Sequence, residues 1–245
     1  MNHPIGSPFI ELLSVESTNN YAMGLTRAGM AQSGTVVFTH EQTKGKGQRN
    51  RQWASQKDMN IAMSIVIEAK NLPSEIFLLS MMAAVSVQKF FSNYVADDVK
   101  IKWPNDIYWR DRKAAGILIE NVWQGNEWKF AIIGIGININ QTDFGELNSK
   151  AVSLKQITGK HFDLVILAKE LCNELNKKYQ VLLNDSSQIV DEYKLHLYKL
   201  NEIVKLKKQN RVFEAVIKDV NTNGQLIVQH GTEERFVVGE VEWVI

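Results

Sequence analysis

No second cysteine accompanies Cys172 in this 245-residue sequence, which excludes an intrachain disulfide framework and fits a reducing compartment. Nor does either charge dominate. The 28 Lys and Arg against 27 Asp and Glu leave +1, too little for a general basic field that would attract nucleic acid. The most apolar stretch, 76–87, is interrupted by Ser80 and Ser86 and falls short of the ~20 residues a membrane-spanning helix needs. The start, MNHPIGSPF, lacks the basic opening and apolar core of a signal peptide. The G-x-x-x-x-G-K-S/T pattern is missing, so there is no P-loop. GKGQRN carries Asn50 where a dinucleotide fingerprint needs its third glycine. The five histidines, at 3, 40, 161, 196 and 230, show no metal-ligand spacing. With 44% hydrophobic residues, the expectation is a globular, soluble, cytoplasmic protein of one large domain, or of a large and a small one.

What is present divides the chain in two. GTVVFTH (34–40) is rich in β-branched residues and reads as a strand; NIAMSIVIE (60–68) alternates and reads as another. SEIFLLSMMAAVSVQKFFSNYV (74–95) reads as a buried helix, apolar almost all round, with Ser74 as its N-cap. VKIKW (99–103) is a short strand stopped by Pro104. KAAGILIENVW and WKFAIIGIGININ flank QGNE and read as a long hairpin. From Asp163 to about Leu200 the period is helical, with Leu164, Leu167, Leu171, Leu175 and Tyr179 on one face. Cys172 in this stretch reads as a small buried thiol rather than a nucleophile. Beyond Leu200, EIVKLKK, VFEAVIKDV, QLIVQH and RFVVGEVEWVI read as strands, with NTNG and HGTEE as turns. A mixed α/β domain is therefore expected first, then a small all-β unit, with the boundary near 197–201.

Chemistry-bearing residues gather in five short stretches. EQTKGKGQRNRQWAS (41–55) sets Lys44, Lys46, Arg49 and Arg51 among Gly45, Gly47 and amides, with no acid between Glu41 and Asp58. The glycines let backbone N–H groups approach an anion, the cations neutralise it, and Trp53 offers a face to a planar base. Taken alone, a loop of solvated charges explains these residues slightly better. KWPND (102–106) reads first as a tight turn at a strand end, although it also aims Asn105 and Asp106 at a common point. RKAAGIL (112–118) opens an apolar strand with Lys113 and breaks it at Gly116. That is either a solvated strand end or a cation beside a close backbone approach. ESTNN (16–20) caps a helix through Ser17 or Thr18, or presents hydroxyls and the Asn19 amide to a polar group such as a urea. GIGININ (134–140) offers Asn138 and Asn140, whose amides can donate to and accept from an adenine edge.

Their order is more specific than any one of them. ESTN, EQTxGxGxxxxxW, KWPND, KxxGIL and GIGINxN, in that order over about 125 residues, resemble the motifs of biotin protein ligases. The terminal unit with GEV (239–241) is similar to that family's C-terminal SH3-like domain. The resemblance covers almost the whole chain. It implies an α+β fold: a mixed β-sheet flanked by helices in a catalytic domain, 1–198, followed by a small SH3-like β-barrel, 199–245. It implies a ligase with ATP and biotin as substrates and Mg2+ assisting. Biotinoyl-AMP would form as pyrophosphate leaves. The biotinoyl group would then pass to a lysine on the biotin carboxyl carrier domain of acetyl-CoA carboxylase or a related biotin-dependent carboxylase. Members often dimerise through a sheet edge, so a weak homodimer is implied as well. Only eight residues precede FIELLSVESTN, so neither an N-terminal DNA-binding domain nor a repressor role is expected.

Carried over residue by residue, Ser17, Thr18, Asn19 and Gln42 would hold biotin's ureido ring. Gly45, Lys46, Gly47 and Gln48 would cover biotin and the acyl phosphate, with Gly116 close beneath. Lys113 would bridge the biotin carboxyl and the α-phosphate, and Asp106 would activate or orient the incoming lysine. Trp53 would pack near the adenine and Asn138 would bond its edge; no residue is expected to ligate a metal. The loop departs from the family's GRGRxGR form. Lys46 keeps a charge without the guanidinium fork, Gln48 is neutral, and Asn50 replaces a glycine. Two alternatives remain open: a lipoate ligase or octanoyl transferase of related fold, the latter needing a cysteine nucleophile that no motif contains, and a non-catalytic biotin sensor or nucleic-acid module built around the basic loop.

Overall fold

The computed structural model describes residues 3–96 and 98–244; Met1 and Ile245, the outer ends of the two expected domains, lie outside the described residues. Seven strands form the first sheet: β1 (Phe9–Leu12), β2 (Val36–Thr39), β3 (Asn60–Glu68), β4 (Val99–Lys102), β5 (Asp106–Trp109), β6 (Arg112–Gln124) and β7 (Glu127–Asn138). Their order is β1-β2-β3-β7-β6-β5-β4. Only β1 and β2 pair in parallel, joined by a crossover through helix α1 (Thr18–Arg27), as parallel neighbours require. The other neighbours are antiparallel, and β6 and β7 form the expected long hairpin about QGNE.

Both faces of this sheet are covered, which corrects the expected alternation of β3: eight of its nine residues are buried. Ile61, Met63, Ile65 and Ile67 join the main core with helices α2 (Phe77–Ser92) and α4 (Leu164–Asn184). Val66, with Val37 and Ile132, packs on the opposite face around Ala22 of α1. Helix α2 is apolar all round because the sheet lies on one flank and α4 and α5 (Ser186–Leu195) on the other. Its start differs from the expected one. Ile76 holds the N-cap position, and Ser74, two residues too early to cap the first free amides, bonds Glu75 instead.

The long helical stretch is two helices. The Asp163 carboxylate caps α4 by accepting from the N–H groups of Val165 and Ile166. Asp185 interrupts the run, and its side chain accepts from the Ser187 N–H to start α5. The face formed by Leu164, Leu167, Leu171, Leu175 and Tyr179 is buried as expected. A short helix that the pattern did not mark, α3 (Leu154–Thr158), carries a capping box between Ser153 and Gln156 and ends at the left-handed Gly159. Among the described residues, no helix is long and apolar enough to cross a membrane.

The second sheet is antiparallel, in the order β11-β10-β9-β8-β12. It consists of β8 (Ile203–Lys208), β9 (Arg211–Val220), β10 (Leu226–His230), β11 (Thr232–Phe236) and β12 (Glu242–Trp243). RFVVGEVEWVI therefore contributes to two strands with a turn between them. Leu206, Ile217, Leu226, Val228 and Phe236 join the same core as α2. Each such fully buried apolar side chain contributes about 2 kcal/mol, so burial, not a linker, joins the two sheets. The junction lies on the KWPND turn. The Trp103 indole N–H donates to the Gly224 carbonyl at 3.0 Å, and a Cβ on Gly224 (φ +81°) would strike the Phe77 ring at 2.4 Å. This seat brings the turn before β12 over the first sheet.

Candidate active site

One row of paired residues crosses five strands: Lys102 on β4, Asp106 on β5, Gly116 on β6, Gly136 on β7 and Ala62 on β3. Directly opposed residues point to the same face, here the face that carries α1. The row therefore reads cation, acid, two missing side chains, methyl. A second row, Leu118, Gly134 and Ser64, runs beside it. The glycines leave a floor of bare backbone under a cavity of about 500 Å³. A Cβ on Gly136 would lie 2.4 Å from the Trp53 ring, and one on Gly134 would lie 2.3 Å from Asn19 Oδ1. Both neighbours rest directly on the sheet because nothing stands in their way.

One end of the cavity is neutral. Ser17 occupies the N-cap position of α1, yet its side chain makes no capping bond. Ser17, Thr18 and Asn19 are all buried. Gln42 Oε1 accepts from the Thr18 N–H at 2.9 Å and from the Thr18 hydroxyl at 3.1 Å. Ser64 Oγ donates within this group, lying 2.7 Å from Thr18 Oγ1 and 2.6 Å from Asn19 Oδ1. Asn19 Nδ2 donates to Glu120 at 2.8 Å. Capping is not what these residues do. They form a connected set of hydroxyls and amides, held at fixed angles, on the cavity wall. Sequence reasoning missed Ser64 and Glu120. The signal for Ser64 was its place as the one hydroxyl within the apolar run IAMSIVI.

The other end is charged. Lys113 Nζ lies 2.6 Å from Asp106 Oδ1 and 5.6 Å from the centre of the Trp53 ring. The Lys113 backbone is pinned separately. Its N–H donates to the Lys150 carbonyl at 2.7 Å, and its carbonyl accepts from the Val152 N–H at 3.0 Å. Asn138 Nδ2 donates to the carbonyls of Lys113 and Val152. That amide nitrogen is thus committed to the backbone, which leaves only the oxygen for the expected adenine contact. Lys102 also lines the cavity, and the reading of motifs did not single it out. Burial pushes its ammonium down to about 8, and Lys113, Arg51 and Lys150 push the same way against the raising effect of Asp106.

The basic loop closes over these groups as a small hairpin. The Trp53 N–H donates to the Gly45 carbonyl at 2.9 Å and the Gly47 N–H to the Arg51 carbonyl at 2.7 Å, around a bridge between Lys46 and Gln52. Its charges are not simply solvated. Lys44 pairs with Glu16, Lys46 with Glu120, and Arg49 with Glu242 of the second sheet at 3.3 Å. Lys46, Gly47, Gln48, Arg51 and Trp53 line the cavity; Gly45 does not. It is buried beneath the loop, where a Cβ would lie 2.3 Å from the Trp53 carbonyl oxygen. Gly239, Val241, Glu242 and Trp243 complete the wall from the C-terminal side.

Ser17, Thr18, Asn19, Gln42, Lys46, Gly47, Gln48, Trp53, Asp106, Lys113, Gly116 and Asn138 therefore converge on one cavity. Cys172 does not. It is buried on α4, and burial pushes its thiol up to about 12. Among the described residues, no group of three or more His, Cys, Asp or Glu side chains is placed to hold a metal ion. A ligand suited to this cavity has a neutral polar end, a flat part that fits bare backbone, and anionic groups at the other end.

The model of the biotin/lipoate A/B protein ligase family matches residues 12–138. The bifunctional ligase/repressor BirA of Salmonella typhimurium is 28% identical over 231 residues, covering 93% of this chain and 71% of that protein. The Biotin--[acetyl-CoA-carboxylase] ligase of Mycobacterium tuberculosis is 25% identical over 220 residues, covering 88% of this chain and 80% of its own length. The biotin protein ligase from Aquifex aeolicus, solved in complex with biotin and ATP, superposes with a TM-score of 0.82 at 23% identity. That match covers 96% of this chain and 98% of the other, and it shows that the fold is shared.

Proposed function

Because the chain belongs to the biotin/lipoate A/B protein ligase family, we propose that it is an ATP-dependent biotin ligase acting on a carrier domain of a biotin-dependent carboxylase. The supporting observation is the single cavity with a neutral hydrogen-bonding end at Ser17, Thr18, Asn19 and Gln42 and a cationic end at Lys113. Biotin needs both: its ureido ring is polar and uncharged, and its carboxylate must meet the α-phosphate of ATP against mutual repulsion.

In the first step a carboxylate oxygen forms a bond to the α-phosphorus, and the bond to the bridging oxygen breaks. The electron pair departs with pyrophosphate. Lys113, drawn away from Asp106 by the stronger negative charge, neutralises the two reacting anions and holds them together. The hairpin carrying Lys46, Gly47 and Gln48 covers the mixed anhydride and keeps water from it. In the second step the amine of the acceptor lysine attacks the acyl carbon, AMP leaves, and a proton is lost from nitrogen. Asp106, released from Lys113, orients that amine. Mg2+ would be held chiefly by the nucleotide phosphates, as such ions are in other phosphoryl-transfer sites; among the described residues no group of three or more His, Cys, Asp or Glu is placed to hold it.

The octanoyl transferase alternative requires a cysteine in the cavity, and Cys172 lies elsewhere with a thiol that resists ionisation. The test is mass spectrometry of a purified carrier domain incubated with this protein, ATP and either biotin or lipoate. One biotinoyl adduct on one lysine, with pyrophosphate released only when biotin is present, is expected. Release driven by lipoate alone, or biotin binding with no adduct, would overturn the reading.

A further inference from the structure

The two-step reaction leaves one half-buried cation of the cavity, Lys102, without a task. Lys102 stands on the same cross-strand row as Asp106 and Gly116, two strand spacings or about 10 Å from the glycine floor. Among the described residues its Nζ bonds the Tyr108 hydroxyl alone, at 3.2 Å, and lies 4.8 Å from the centre of the Tyr108 ring and 5.4 Å from that of Trp243. Among the described residues, no carboxylate lies within ion-pair distance of it. The acid opposite, Asp106, is already held by Lys113 at 2.6 Å. A half-buried, partly desolvated ammonium without a carboxylate partner adds little to folding, and a methionine would fill the same space without the desolvation cost. The two aromatic rings flank the ammonium itself, and Lys102 lines the cavity wall.

The number of charges points the same way. Lys102, Lys113 and Arg51 all line the cavity, and Lys150 lies near enough to act on the Lys102 ammonium. One carboxylate and one α-phosphate do not need so many. The excess matches a group of high negative charge beyond the α-phosphate.

We propose that Lys102 is a catalytic residue of the first half-reaction, the cation that receives the departing pyrophosphate. The proposal rests on the reading of the chain as an ATP-dependent biotin ligase. As the bond between the α-phosphorus and the bridging oxygen breaks, the electron pair stays on that oxygen. Lys102 donates hydrogen bonds to the charge that accumulates there and on the oxygens behind it, and it keeps its proton throughout. Trp243 and Tyr108 aim it, so the second sheet contributes to this step through one indole ring.

The test uses Lys102→Met, which keeps the stem and removes the charge, and Lys102→Arg, which keeps the charge. Three quantities are measured: biotin-dependent pyrophosphate release, transfer to the carrier domain from supplied biotinoyl-AMP, and calorimetric binding of inorganic pyrophosphate. Lys102→Met should release pyrophosphate ~100-fold more slowly and bind it at least ~10-fold more weakly. Its KM for biotin and its transfer from supplied biotinoyl-AMP should stay within ~3-fold of the parent. Lys102→Arg should recover a tenth or more of the release rate. Thermal unfolding of Lys102→Met should be no lower than that of the parent, since a partly desolvated charge without a carboxylate partner is lost. Unchanged release, or equal loss in both half-reactions, would overturn the proposal. If the parent binds pyrophosphate through Lys102 but biotin drives no release, the anion site stands and the biotin reading falls.

Discussion

At the scale of the residue, Lys113 separates position from charge. Lys150 and Val152 hold its backbone, while its ammonium pairs with Asp106 and faces the Trp53 ring. Lys113→Ala should therefore leave the strand in place and remove the cation. Pyrophosphate release should fall at least ~100-fold, corresponding to ~3 kcal/mol of transition-state stabilisation. The melting temperature should move by only a few degrees, because a half-buried ion pair contributes little. Near-normal release would remove Lys113 from the reaction. Lys113 was legible in the sequence because its motif is local, as were Ser17 to Asn19 and the loop. Lys102 sat in a quoted motif and still went unmarked. Its meaning depends on Tyr108, on Trp243 near the chain end, and on an acid opposite that another lysine has taken. Glu120 was hidden for a similar reason, since Asn19 reaches it across 101 positions of sequence.

At the scale of the element, His40 fastens three pieces of chain. Its Nε2 lies 2.9 Å from Glu11 on β1, its Nδ1 lies 2.8 Å from Asp58 in the segment ahead of β3, and it directly follows β2. The hydrogen bond to Glu11 raises its pKa above 6.5, burial partly opposes this, and Asp58 adds to the rise. The folded state therefore holds the proton to higher pH than the unfolded state does. The stabilisation is complete below the unfolded value and is lost as pH climbs through the raised folded one. The melting-temperature difference between the parent and His40→Asn should be largest near pH 6 and shrink by about pH 9. A difference independent of pH would mean that packing, not charge, carries the contact. The elements themselves were largely legible. Where the pattern failed, a specific competitor won. Ser74 sits too far from the first amides, a second helical layer buries the far face of β3, and Asp185 caps a new helix inside a continuous period. Helix α3 did carry its signal, in the S-x-x-Q spacing of Ser153 and Gln156 before Gly159.

At the scale of the whole molecule, the two sheets share one apolar core and meet at Trp103, Phe77 and Gly224. We propose residues 199–245 as a unit that cannot be detached without exposing that seam. Far-UV circular dichroism and tryptophan fluorescence should report one coincident unfolding transition in the full chain. Two separated transitions would make the second sheet an independent domain. The row from Lys102 to Ala62 carries a different consequence. Its members share a face only because five strands are in register, and a slip of one residue would turn a whole strand over. A molecule refolded with β5 displaced by one position would keep its strands and nearly all of its pairing, yet Asp106 would point into the opposite layer. With Asp106 in the role proposed for it, catalytic competence becomes a proofreading mark for strand alignment, one that distinguishes the correct fold from its nearest misfolded neighbours.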